Sequence, residues 1–228
     1  MPLDRLDDGI WTVTAPLMAM GVIPMTSRMT VIRLPGDGGL LVHSPVKITP
    51  DLHRELTALG PVRHVVAPNR MHHMFCGDFR AAYPEARIYG APGVAKKRPD
   101  LPLDGGELGD AAPEAWAGEV DQALVGGIPM LNEVIFLHRP SGTLIATDTA
   151  ANVAPSDPMP VRVWARLNRV YGRLATPLEV RLVCRDRQAA RRGLEKVLAW
   201  DFDRVVVGHG AVVPTGGKAR AREAFAWA

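Results

Sequence analysis

Ser141-Gly142-Thr143-Leu144-Ile145-Ala146-Thr147-Asp148 and Val205-Val206-Val207-Gly208-His209-Gly210 decide how this chain is read. Each is a short apolar strand that ends on a residue with chemistry, a carboxylate in the first and an imidazole in the second. The turn Arg139-Pro140-Ser141-Gly142 sits between apolar segments at 133–138 and 143–146, which marks a hairpin. A third strand, His64-Val65-Val66-Ala67, runs through Pro68 toward the pair His72-His73. In α/β proteins the loops at the carboxyl ends of strands are where sites form. Imidazole and carboxylate are the usual ligands of zinc and iron. Taken singly, each group has a plainer reading: a solvated histidine pair, an aspartate capping a helix or turn, a tight Gly-His-Gly turn. Their shared placement after apolar strands argues for a common site.

Outward from these stretches the chain alternates strand and helix signals. Residues 10–14, 29–34 and 40–43 read as strands, the last two joined by the turn Pro35-Gly36-Asp37-Gly38-Gly39. Thr49-Pro50-Asp51 starts a helix: a capping hydroxyl, proline in the first turn and an early acid. Leu52, Leu56 and Leu59 form its apolar stripe, and Gly60-Pro61 stops it. The pattern predicts a second helix over 74–82, a strand at 87–90, and a long loop with a short helical turn over 91–123. Leu124-Val125 reads as a further strand. Helices are expected at 161–174, 186–200 and 217–228, the middle one carrying Ala189, Leu194, Val197 and Leu198 on its apolar side. Two pseudo-halves, each of strands followed by helices, predict two packed sheets with helices outside.

Composition sets the class. With 228 residues, 47% hydrophobic and 22% charged, the chain can bury a full core as one domain, 1–228. Two cysteines, Cys76 and Cys184, cannot build a disulfide framework, so a cytoplasmic location is expected. The start, Met1 to Asp8, has no apolar h-region, and no apolar run approaches the ~20 residues of a membrane span; no membrane partner is expected. The net charge of +3 comes largely from residues 162–192 and 218–222. That basic segment is the only support for a nucleic-acid partner; it lacks interleaved aromatics and a binding motif, so it reads as a solvated helix face and no nucleic-acid partner is expected.

The order and spacing of these pieces resemble the metallo-β-lactamase superfamily over roughly 10–210. In that family an early strand ends in an Asp-x-Gly-type turn, where this chain has Leu41-Val42-His43-Ser44-Pro45. The next strand leads to a His-x-His-x-Asp-His motif, where this chain has Ala67-Pro68-Asn69-Arg70-Met71-His72-His73-Met74-Phe75. The hairpin ending in Asp148 is similar to the family's bridging-aspartate element, and Gly208-His209 to its final Gly-His. The resemblance implies a four-layer αβ/βα sandwich and a metal-dependent hydrolase. The departures are concentrated in the first motif, which has two adjacent histidines and no acid. One register sets Asn69 and Met71 in the places of two ligands and His73 in that of the aspartate. Another aligns His73 with the last histidine and leaves Pro68 and Arg70 in the first two places. The middle Gly-His is missing, and Glu133 is the only strong ligand type in that region.

A two-metal site is therefore not expected. Two readings stay open. In one, His72 or His73 joins Asp148 and His209 as ligands of a single zinc or iron ion, with His43 a fourth ligand or a positioning partner, and Asp148 and His209 are the catalytic residues of a hydrolase acting on a small molecule. In the other, the chain binds a small ligand or a protein partner without metal. Substrate and oligomeric state are not encoded in any readable motif. Met18, Met20, Met25 and Met29 surround an early loop and could line a pocket mouth, although core filling is the default. The loops at 15–28 and 91–123 are expected to shape that pocket. His53, His64 and His138 read as structural or solvent-facing, Cys76 as a buried thiol beside the site, and Trp116, Trp164 and Trp200 as packing anchors.

Overall fold

The first sheet grows from a hairpin longer than the sequence suggests. A computed structural model of the chain describes residues 2–19, 23–36 and 39–228. β1 (Asp4–Asp7) pairs antiparallel with β2 (Ile10–Ala19), which pairs along its whole length with β3 (Ile23–Arg33), from Ile10 opposite Ile32 to Ala19 opposite Ile23. The expected loop at 15–28 is thus mostly strand. Pro16 and Pro24 argue against a strand in sequence because proline cannot donate to a ladder. β1 reaches only as far as Thr12, however, so the outer part of β2 is a free edge where a missing N–H costs little. Met20, and Asp37-Gly38 of the predicted turn, lie outside the described residues.

β4 (Leu40–His43) continues the sheet antiparallel to β3, and β5 (Val62–Ala67), β6 (Arg87–Gly90) and β7 (Gly106–Glu107) follow in parallel. The crossovers carry α1 (Pro50–Leu59), α2 (Cys76–Ala82) and α3 (Val94–Lys97). α1 is built as its sequence dictates: Thr49 Oγ1 accepts the N–H of Leu52 at 3.2 Å, and Leu52 and Leu56 are buried. The 91–123 stretch contains α3, the two-residue β7 and the start of the second sheet, more order than its Pro/Gly/Asp content suggests.

The second sheet runs β11-β10-β9-β8, from β8 (Val120–Val125), β9 (Glu133–His138), β10 (Thr143–Ile145) and β11 (Arg204–Val206). Only β10 and β11 are parallel. α4 (Met159–Leu167), α5 (Leu178–Leu182), α6 (Arg187–Ala199) and α7 (Gly217–Phe225) accompany it. α4 stops at Leu167, short of the expected 174, because Arg169 takes a left-handed backbone with φ 61°. The chain then returns to pair Tyr171 and Ala175 with Val153 and Ala151.

β9 shows why two sheets and outer helices form one body. It is buried along its whole length, and its alternate residues go to different cores. Val134 and Phe136 join Val31, Leu41 and Val65 between the sheets. Ile135 and Leu137 join Leu194 and Val197 of α6 and Phe225 of α7. Each such side chain contributes about 1.5–3 kcal/mol by leaving water. The αβ/βα sandwich expected from the sequence is present. No helix among the described residues is long and apolar enough to cross a membrane.

Candidate metal centre

The ends of β5, β10 and β11 meet at one edge of the sandwich. There the structure brings together His72, Asp148 and His209, whose ligand-type atoms all lie within 4.8 Å of one another. His72 Nε2 is 3.3 Å from His209 Nε2 and 3.4 Å from Asp148 Oδ2; His209 Nε2 is 3.1 Å from Asp148 Oδ1. The two histidines face different oxygens of Asp148, and these separations are close to the about 3.3 Å between ligand atoms on a tetrahedral ion with arms of about 2.0–2.1 Å, so the two imidazoles and the carboxylate suit one ion.

Each member is held from behind. His209 Nδ1 lies 2.6 Å from the backbone oxygen of Thr26. A carbonyl only accepts, so Nδ1 carries the proton and Nε2 turns its lone pair to the centre. Ser44 Oγ, 2.7 Å from His72 Nδ1, can take that ring's proton in the same way. In that tautomer both Nε2 atoms can offer lone pairs beside the Asp148 carboxylate, an arrangement a cation satisfies. Burial pushes His209 down, but the Asp148 hydrogen bond and charge outweigh it and leave its pKa raised. Burial pushes Asp148 up, but the charge of His72 and hydrogen bonds from both histidines hold it well below the usual carboxylate range.

The loops that present these groups are tied by residues other than the ligands. Asn69 turns the chain after β5: its Oδ1 accepts the N–H groups of Met71 and His72 at 2.6 and 2.9 Å. Its Nδ2 donates to Asp148 Oδ2 at 2.7 Å, to Thr147 Oγ1 at 2.8 Å and to Glu133 Oε2 at 3.1 Å. Glu133, fully buried at the start of β9, accepts the N–H groups of Thr147, Asp148 and Thr149 at 2.6, 2.7 and 2.9 Å. Burial and the charge of Asp148 push its pKa up. Its oxygens accept from four N–H groups, the pattern of an ionised carboxylate. Arg28 of β3 clamps the last loop, donating to the carbonyls of Val207 at 2.6 Å and Gly210 at 2.7 Å.

Glycine is required at 210, and a side chain at 208 would crowd His72. A Cβ on Gly210, which has φ +92°, would lie 2.1 Å from the Asn152 oxygen. A Cβ on Gly208 would press on His72 Cε1 at 3.0 Å, so its absence lets that ring reach the centre.

Of the residues singled out from sequence, Asp148 and His209 lie in the group, and of the two adjacent histidines the structure brings in His72. His73 faces the other way, its Nδ1 3.3 Å from Arg98 Nη1; burial and the charges of Lys97 and Arg98 lower its pKa and keep it a neutral acceptor. His43 lies in the core with its ring edge-on to Phe136 at 4.9 Å. It is outside the group, and its neighbour Ser44, with φ 56°, makes the contact to His72 instead. Glu133 serves the Asp148 loop rather than the centre. Cys76 is buried in the inter-sheet core, where burial pushes its thiol up to about 12. His138 bonds Ser141, His53 bonds Tyr83, and His64 packs on Tyr89 and Trp116. Trp116 is fully buried, Trp164 lines the pocket and Trp200 packs at the edge of the α6–α7 core. Sequence reading missed Asn69 as an organiser, Ser44, and Arg28. Asn69 carried a signal, since Asn after a strand commonly bonds the backbone two residues on.

His72, Asp148 and His209 form part of the wall of a 460 Å³ cavity. Met18 and Met25 line it as the methionine cluster suggested, together with Met71, Met74 and Met130, whereas Met29 is buried in the core.

A family model described as a domain of unknown function (DUF4336) matches residues 7–180. No curated protein matches the chain. Among solved structures it is similar to a metallo-β-lactamase from Erythrobacter litoralis with β-mercaptoethanol in the active site: 16% identity, TM-score 0.67, 98% of this chain and 95% of that one. It is similar to the metallo-β-lactamase FIM-1 from Pseudomonas aeruginosa in its mono-zinc form: 11% identity, TM-score 0.63, 99% of this chain and 92% of that one. A flavo di-iron protein from Thermotoga maritima matches at 10% identity and TM-score 0.65, over 98% of this chain and 61% of that longer one. The fold is therefore that of the metallo-β-lactamases, in a divergent form.

Proposed function

The chain belongs to the DUF4336 family, carried on the metallo-β-lactamase fold, and from that premise we propose that it is a hydrolase working with one metal ion held by His72, Asp148 and His209. The observation that carries the reading is the convergence of two imidazole nitrogens and a carboxylate, each fixed from behind by Ser44, Thr26 or Asn69. When bound, a zinc or ferrous ion would supply Lewis acidity toward a substrate oxygen and a water. The protein's own part is positional. His209 keeps its Nδ1 proton on Thr26, Asn69 holds Asp148 Oδ2 beside His72, Asp148 Oδ1 faces His209, and apolar side chains line the cavity next to them.

Protein purified without a histidine tag is expected to contain, or take up, about one equivalent of zinc or iron. His209→Ala is expected to lose both the metal and the turnover of ester or thioester substrates while keeping its fold by circular dichroism. Failure to retain any transition metal, with none gained on reconstitution, refutes the reading. One observation favours a second reading, a binder without metal: the three groups also satisfy one another by hydrogen bonds. The same metal analysis separates the two.

A further inference from the structure

The cavity on the candidate centre is chemically one-sided. Methionines 18, 25, 71, 74 and 130 line it together with Trp164. Among the described residues no lysine or arginine lines it, and its acids are Asp148 and Glu179. Nearby arginines are engaged elsewhere: Arg28 on the carbonyls of Val207 and Gly210, Arg70 on that of Pro129, and Arg98 on Asp100. An anionic ligand entering here would meet apolar walls and two carboxylates, with no lysine or arginine in the lining and only the imidazoles at the centre to replace its water. Methionine side chains adapt to flexible apolar partners. Four of the five, Met18, Met71, Met74 and Met130, are also well exposed, at 44–57%. They ring the mouth with apolar surface that a ligand would cover. The volume of 460 Å³ lies in the range of small-molecule sites.

We infer that the pocket takes an uncharged acyl compound whose medium-length apolar chain fills the methionine-lined cavity and whose carbonyl lies at His72, Asp148 and His209. The inference rests on the hydrolase reading for its reaction, and on the cavity alone for its binding. In the reaction, water adds to the carbonyl carbon and the bond from that carbon to the leaving oxygen or sulfur breaks. The leaving group departs with a proton as alcohol or thiol, and the other product is the carboxylic acid.

Two measurements test it. Calorimetry on the protein as purified compares octanamide with acetamide and with octanesulfonate, an anion of similar chain that coordinates metals poorly. Octanamide is expected to bind about tenfold or more tighter than either. In the metal-loaded protein, kcat/KM for nitrophenyl esters is expected to rise from acetyl toward octanoyl by about fourfold per methylene at first, the equivalent of ~0.8 kcal/mol for each methylene taken out of water. Met130→Lys and Met74→Lys, at half-exposed positions where the fold is not at stake, are expected to reverse the preference toward the sulfonate. Octanesulfonate binding as tightly as octanamide, or acetamide binding as tightly, overturns the inference. If octanamide binds as expected and no ester is turned over, the pocket assignment stands and the hydrolase reading falls. Turnover that is flat with chain length, with no preference for octanamide, leaves the hydrolase and removes the acyl pocket.

Discussion

The loop after β5 and the loop after β10 deliver ligands to the same centre by different means. The loop after β10 is fixed from outside: Glu133, on the neighbouring strand, accepts three of its N–H groups and positions Asp148. The loop after β5 is fixed from within, by Asn69, which turns the backbone with one end of its amide and holds Asp148 with the other. The Glu133 carboxylate gives three of its four hydrogen bonds to the backbone of one loop, whereas the Asn69 amide divides its bonds between two loops. A change in the first should therefore act mainly on stability, and a change in the second on the geometry of the centre.

The sharpest way to break this contrast is Glu133→Ala. It leaves three buried N–H groups without an acceptor and is expected to cost about 3–5 kcal/mol by chemical denaturation. A cost under about 1 kcal/mol would show that the loop after β10 is not held from outside. Asn69→Ala is expected to cost less, about 1–3 kcal/mol, yet to lower metal affinity about 10–100-fold. Metal binding equal to that of the native chain would remove Asn69 from the centre. Ser44→Ala is smaller again: roughly 1 kcal/mol or less in stability, with a modest loss of metal affinity read by competition with a chelator.

His43 sharpens the comparison through pH. Burial first, then the charge of His72, lowers its pKa from 6.5 to about 3. A group depressed in the folded state gives its full contribution above its unfolded pKa and loses it as pH falls through 6.5 toward about 3. In that window the unfolded chain binds the proton and the folded chain does not. His43→Leu is thus expected to flatten the acid limb of stability by up to about 1.4 kcal/mol per pH unit between those values. An unchanged slope would mean that the buried ring is already charged.

Much of the fold was legible in the sequence, and the reason lies in periodicity. Thr49-Pro50-Asp51 with Leu52 and Leu56 specifies α1 locally, and the structure follows it. The tips of β2 and β3 were not legible, because Pro16 and Pro24 are tolerated only where a strand has a free edge, and sequence does not say which edge is free. At the site, Asp148 and His209 follow directly on apolar strands, so their placement carries over from strand to loop. Choosing between His72 and His73 needed the local turn. Adjacent residues point apart, and which one faces the centre depends on the Asn69 amide and on the space left by Gly208. Arg28 was illegible for another reason. Its role is to bond carbonyls 179 and 182 residues away, and a partner that is only backbone leaves no trace in residue type.

Those long spans also bear on how the chain folds. His72 and His209 are 137 residues apart, Asn69 and Asp148 are 79 apart, and Arg28 reaches across to the far end of the chain. Closing such loops costs entropy before any contact returns it, so the hairpins and α1 form ahead of them. The centre then comes into being only when the two sheets dock. Substitutions there should leave the refolding rate nearly untouched and speed unfolding, so that the site acts as a latch on the finished sandwich rather than a seed for it.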